Sequence, residues 1–161
     1  MATRFVFIPF SAEFPASSFP ELKLINRRPV LGFDAATSES CYWTGIAPQG
    51  LTGTLTALVT YIMASATTGA VILRSQIEAV TDGDATDLDT ATSFDTANAS
   101  ATTTVPGTAG YIDQISITLT NADAIAAGDY FRLLIDRDAA NASDTAAGDL
   151  QILSVELRDA A

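Results

Sequence analysis

Apolar and polar residues alternate along most of the chain with a period of two, the repeat of a strand whose successive side chains face opposite sides of a sheet. In residues 54–63, Leu55, Ala57, Val59, Tyr61 and Met63 share one side, while Thr54, Thr56 and Thr60 lie opposite. Residues 70–80 repeat the pattern, with Val71, Leu73 and Ile77 on one face and Arg74, Gln76 and Glu78 on the other. A small-residue segment, Ser65 to Gly69, separates the two, and the pair reads as a long antiparallel hairpin. Upstream, the stretch SCYWTG from Ser40 places Cys41 and Trp43 on one face of a short strand, with Trp43 as a core anchor.

Three more strands are expected: 112–119 with Ile115, Ile117 and Leu119 inward, 130–135 with Phe131, Leu133 and Ile135 inward, and 150–157 with Leu153, Val155 and Leu157 inward. The last two share a leader, AAGDYFRLLI at 126–135 and AAGDLQILSV at 146–155. Each Gly-Asp pair reads as a turn that launches a strand, Gly128 and Gly148 giving permissive dihedrals and Asp129 and Asp149 local side-chain bonds. Residues 82–110 break the alternation, apart from weak strand signals near 93–96 and 102–105, and a loop of that length inside a domain is uncommon. About eight or nine strands, with few or no helices, suit an all-β, two-sheet antiparallel sandwich of jelly-roll type.

Residues 1–38 differ from the rest. They hold six of the eight phenylalanines (Phe5, Phe7, Phe10, Phe14, Phe19, Phe33) and four of the six prolines. Repeated prolines disfavour helix and suit an extended strand-and-turn path. Residues 1–38 are therefore read as an extended aromatic and proline-rich arm, and residues 39–161 as the sandwich domain. The arm either docks on a partner through Phe5, Phe7, Phe10, Phe14, Phe19, Arg27 and Arg28, or its phenylalanines complete the core of the same domain.

Composition narrows the chemistry. The 161 residues contain no histidine, one cysteine (Cys41) and one lysine (Lys23), so a disulfide within the chain and a Cys/His zinc site are both excluded. Without an imidazole base, a Ser-His-Asp triad or a Cys-His pair cannot be assembled, and Cys41 reads as a small buried hydrophobe. A phosphate-binding loop, a dinucleotide fingerprint and a nucleophile elbow are all missing. A pair of carboxylates could in principle cut sugars, but the acids cluster in loops without the aromatic platforms that grip a sugar ring.

Net charge is -11; residues 41–161 carry four basic and fifteen acidic side chains. Such a body repels phosphate backbones, which excludes nucleic acid as the main partner. The uncharged run from Gly50 to Leu73 has the length of a membrane span, but ten of its 24 residues are Gly, Ser or Thr and it alternates, so no membrane role is expected. The N-terminus lacks the long apolar region of a signal peptide. Asp82, Asp84, Asp87 and Asp89 crowd one stretch and open like a calcium loop. Asp87 then stands where such a loop needs glycine, and Ser93 where it needs glutamate, so a solvated acidic turn is expected. Asp136, Asp138 and Asp144 are read in the same way. No cofactor, metal or catalytic residue is assigned.

The segment Ala127-Gly128-Asp129-Tyr130, the apolar strand to Ile135, then Arg137-Asp138, Asp144-Thr145, Gly148-Asp149 and the strand to Leu157 resemble small virion proteins of tailed bacteriophages with jelly-roll folds. The Trp43 strand and the threonine-rich stretch after it fit the same pattern, whereas residues 1–38 lie outside it. The resemblance implies a non-enzymatic capsid decoration (cement) protein. Such a protein would be a homotrimer on the outer capsid surface, made in the host cytoplasm, with the major capsid protein as its partner. The alternative it implies is a receptor- or carbohydrate-binding module of a head or tail fibre.

Overall fold

The computed structural model describes residues 1–160. Twelve strands follow in order: β1 (Ala2–Phe7), β2 (Glu21–Ile25), β3 (Arg28–Phe33), β4 (Ser40–Ile46), β5 (Leu55–Met63), β6 (Ala70–Val71), β7 (Leu73–Val80), β8 (Asn98–Ala99), β9 (Thr103–Thr104), β10 (Asp113–Leu119), β11 (Tyr130–Arg137) and β12 (Leu150–Asp159). They form a two-sheet antiparallel sandwich of jelly-roll type. One sheet runs β10-β5-β12-β3-β2, with β1 also on β12; the other runs β4-β11-β7-β8. The short pair β6-β9 stands apart.

The period-two faces meet in the core between the sheets. Leu55, Ala57, Val59, Tyr61 and Met63 are buried together with Ile115, Ile117 and Leu119, and they face Cys41, Trp43, Leu73, Ile77, Phe131, Leu133 and Ile135 from the other sheet. Strand β5 is buried along its second face too, at Thr56, Leu58 and Ile62, because it lies between β10 and β12. That central position accounts for the uncharged run Gly50 to Leu73. Among the described residues, no helix is long and apolar enough to cross a membrane.

Three expectations need correction. Residues 54–63 and 70–80 do not pair as a hairpin: β5 pairs with β10 and β12, whereas β7 pairs with β11 and β8 in the opposite sheet. The segment between them is a crossover from one layer to the other. The face of β12 also changes along its length. Ile152 lies opposite Tyr61 and Ser154 opposite Thr60, so Leu153 is the extra residue of a bulge and is only half-buried. Leu150 and Ile152 point inward before it, and Val155 and Leu157 after it. The weak strand expected at 93–96 is replaced by β8, a few residues further on.

Residues 1–38 run extended but are not separate from the sandwich. β1 pairs with the second half of β12, from Val155 to Asp159, and β3 pairs with its first half, from Leu150 to Ile152. Phe7 and Phe33 are core residues. The boundary expected near residue 38 therefore divides no structural unit, because β12 has both of its edges filled only when β1 and β3 are in place.

The two Gly-Asp leaders differ: the expected turn with a local aspartate bond forms at Gly128-Asp129, whereas Gly148-Asp149 lies in a bend and Asp149 faces Lys23 at 3.7 Å. Gly128 adopts φ +96°, the left-handed region, and the buried Asp129 carboxylate accepts the Ala126 N–H at 2.7 Å. Gly148 is required for space instead: a Cβ there would lie 2.7 Å from Ser65 Oγ and 2.8 Å from Ala66 N.

Candidate functional site

The N-terminal segment divides its aromatic residues by strand parity. Phe5 and Phe7 face inward: their rings stack 5.4 Å apart, Phe7 stacks on Trp43 at 5.8 Å, and Phe5 meets Phe131 edge-on at 5.3 Å. Gly45 makes room for this cluster, since a Cβ there would come within 2.9 Å of the Phe131 ring and 3.3 Å of the Phe5 ring. Trp43 Nε1 donates to the Ile8 carbonyl at 3.1 Å and so fixes the exit of β1. Phe5 and Phe7, expected as partner-binding residues, are thus internal packing, because β1 is a strand of the sheet and those two positions point into the sandwich.

Phe33 on β3 is also in the core, whereas Phe10, Phe14 and Phe19 are exposed. Val6 and Ile8 are exposed by the same alternation, and a single 3-10 turn, Pro9–Ser11, presents Phe10 at 63% exposure. The chain then crosses to the other sheet, where Glu13 and Tyr42 exchange backbone hydrogen bonds of 2.8 and 2.9 Å, and the Ser18 carbonyl accepts the Ser40 N–H. This covers the free edge of β4. Phe14 and Phe19 are 39% and 46% exposed, with ring centres 5.7 Å apart. Val6 and Ile8 were not singled out from the sequence, although period-two parity from Phe5 and Phe7 points to Val6.

Arg27 and Arg28 are exposed, at the β2–β3 turn. They stand out because the other six basic side chains are ion-paired: Arg4 with Asp159, Lys23 with Glu21 and Asp149, Arg74 with Asp136 and Asp138, Arg132 with Glu78, Arg137 with Asp144, and Arg158 with Glu156. Among the described residues, neither Arg27 nor Arg28 lies within ion-pair distance of a carboxylate.

Other polar groups serve the fold. Burial pushes the Cys41 thiol well above its usual range, with Asp136 adding to the effect, which disfavours the thiolate. Asp84 and Asp87 bend back to accept the N–H groups of Thr81 and Asp89, and no cluster of three or more metal-ligating side chains occurs among the described residues. Asp136 and Asp144, expected in solvated turns, are instead withdrawn from water against Arg74 and Arg137. On the outer face of the second sheet, the Arg132 guanidinium lies 4.5 Å from the Tyr42 ring centre and 5.3 Å from that of Phe94. Glu78 holds Arg132 at 3.3 Å and accepts the Ser93 N–H at 2.6 Å, which pins the Phe94 loop to the sheet. A polar cleft of about 230 Å³ lies beside Phe19, lined by Glu21, Lys23, Asp34, Glu39 and Asp149.

No protein-family model matches the chain, and no curated protein matches it. Among solved structures it superposes on a CBM35 carbohydrate-binding module, that of Abf62 from Cellvibrio japonicus. The TM-score is 0.58 over 98% of this chain and 94% of that one, at 10% identity. Likeness at that identity is a likeness of fold.

Proposed function

We propose that this chain is a non-enzymatic virion structural protein, a capsid decoration or cement protein that binds the outer surface of a bacteriophage head and works as a homotrimer against the major capsid protein. The observation that carries this reading is the exposure of Phe10 and of the Phe14–Phe19 pair on a segment that is itself clamped to both sheets. With Phe10 63% and Phe14 and Phe19 39% and 46% exposed, roughly half of the aromatic surface is still open to a partner, and at about 25 cal/mol per Å² three such rings on a preorganised support contribute to attachment. The resemblance of residues 41–157 to phage virion proteins supplies the class of partner, and the missing histidine supports the lack of catalysis.

The experiment is co-sedimentation with phage heads stripped of this chain. The wild type is expected to pellet with the heads, and a Phe10→Ser, Phe14→Ser, Phe19→Ser variant that keeps its melting temperature is expected to stay in solution. A folded triple variant that pellets like wild type would refute attachment through this face.

A second reading has its own observation. The fold is shared with a carbohydrate-binding module, and the cleft beside Phe19 combines an aromatic ring with carboxylates and an ammonium group, the groups that stack on and hydrogen-bond to a sugar. Calorimetric binding of a soluble polysaccharide that is lost in Phe19→Ala and Lys23→Ala, with no binding to heads, would favour this reading over the first.

A further inference from the structure

The two unpaired arginines lie beside an apolar groove. Arg28, Asn26 and Ile25 form one wall, and Ile62, Leu153 and Ile112 complete a concavity of about 400 Å³ on the outer face of the larger sheet. Leu153 reaches this face because of the bulge in β12. The turn that carries the arginines is itself strained. Asn26 and Arg27 have φ of 42° and 66°, and Arg27 occupies a position where a two-residue hairpin favours glycine. A bulky cation held there at a conformational cost points to a role outside the chain's own packing.

A complementary feature lies at the other end of the molecule. In the acidic loop, Leu88 is 53% exposed between Asp87 and Asp89. It sits on a hydrogen-bonded turn, in which the Asp87 carbonyl accepts the N–H groups of Thr90 and Ala91 and the Asp87 carboxylate accepts that of Asp89. The loop starts just after Ala79, which is bonded to Asp123 beyond the C-terminal end of β10, whereas the groove abuts the N-terminal end of β10 at Ile112. The seven residues of β10 therefore lie between the base of the acidic loop and the groove.

We propose that the groove flanked by Arg27 and Arg28 receives the Asp87–Leu88–Asp89 turn of a second copy of this chain, so that copies join head to tail. Leu88 fills the apolar concavity, and the flanking carboxylates meet the only basic groups that no carboxylate of the same chain neutralises among the described residues. Charge complementarity identifies the occupant: among the exposed large hydrophobic side chains of the described residues, Leu88 is the one with a carboxylate on each side, so it brings apolar surface to the groove and negative charge to the two arginines, whereas contact between other acidic surfaces of two copies brings like charges together. A contact between different surfaces at opposite ends is heterologous, and copies joined in this way close into a ring when the rotation allows. This inference does not depend on what the assembly binds.

Sedimentation of the full chain, from micromolar to millimolar concentration, tests it. The wild type is expected to associate. Arg27→Glu with Arg28→Glu, and separately Asp87→Arg with Asp89→Arg, are expected to weaken association at least about tenfold while leaving the melting temperature unchanged. The chain carrying all four substitutions restores complementarity with the signs exchanged and is expected to associate again. A Leu88→Ser variant, which leaves the charges intact, is expected to associate more weakly than wild type. A wild type that stays monomeric throughout overturns the proposal, as do charge-reversed pairs that associate normally or a fourfold variant that stays monomeric.

Discussion

Arg137 has a side chain with no exposure to solvent, and all three of its guanidinium nitrogens donate hydrogen bonds. Nη2 donates to Asp144 Oδ1 at 2.7 Å and to the Ala146 carbonyl at 2.8 Å, Nε donates to Asp144 Oδ2 at 3.1 Å, and Nη1 donates to the Gly148 carbonyl at 2.8 Å. Asp144 Oδ2 also accepts the Ile72 N–H at 3.1 Å. One buried cation thus ties the end of β11 to the segment that leads into β12 and, through Asp144, to Ile72 between β6 and β7. Removing one partner strands a charge out of water, so Asp144→Ala is expected to cost about 3–5 kcal/mol in urea unfolding. Replacing Arg137 and Asp144 together by Met and Leu is expected to cost less than the single change. Nothing in the sequence marks this pair, because arginine and aspartate seven positions apart across a loop have no fixed geometry until the strands around them are placed.

At the scale of elements, β1 decides whether the sandwich is complete. It fills the second half of one edge of β12, and Phe7 stacks on Trp43 inside the core. Phe7→Ala is therefore expected to lose about 3 kcal/mol, the cost of emptying a packed aromatic site, whereas Phe10→Ser on the adjoining turn is expected to change stability by less than about 0.5 kcal/mol. Deleting residues 1–8 removes Phe5, Phe7 and the β1 ladder together. A domain whose total stability is about 5–15 kcal/mol will not absorb that loss and is expected to lose its cooperative melting transition. A truncated chain that melts cooperatively near the wild-type temperature would show that β12 does not need this partner. The same parity that buries Phe5 and Phe7 exposes Val6 and Ile8, so the face offered to a partner is a by-product of the strand that completes the core.

For the whole molecule, acid stability follows from where the carboxylates sit. The hydrogen bond from Arg4, joined by the Thr52 N–H, holds Asp159 below the usual carboxylate range; Thr3 and Arg158 lower Glu156, and backbone N–H groups lower Asp34 and Asp95. A carboxyl depressed in the folded state stabilises it above the unfolded value, about pH 4, and that contribution is lost as the pH falls through the folded value. Burial raises Asp136 and Glu39, and these act in the opposite sense, favouring the folded state only once protonated. Urea midpoints measured from pH 7 down to pH 3 are therefore expected to fall less steeply in Asp159→Asn than in wild type, starting from a lower value at neutral pH. In Asp136→Asn the acid limb is expected to steepen. An unchanged acid limb in both variants would contradict the assignment.

The alternation of apolar and polar residues was enough, from sequence alone, to place β4, β5, β7, β10 and β11 and to assign their inward faces, because side-chain parity is a property of each strand by itself. The missing histidine likewise excluded triads and pairs that need an imidazole base from the sequence alone. What the tertiary structure decided is which strand meets which. Val59 lies opposite Ile115 on one side and Val155 on the other, partners more than fifty and ninety residues away, and no local pattern encodes that choice over the nearer β7. The bulge at Leu153 reverses parity within one apolar run, and a reader of alternation passes over it because both phases are apolar. The fates of Phe7 and Phe10 differ for the same reason. Their surroundings are similar in sequence, and only the pairing of β1 with the far end of the chain turns one into the core and leaves the other on the surface.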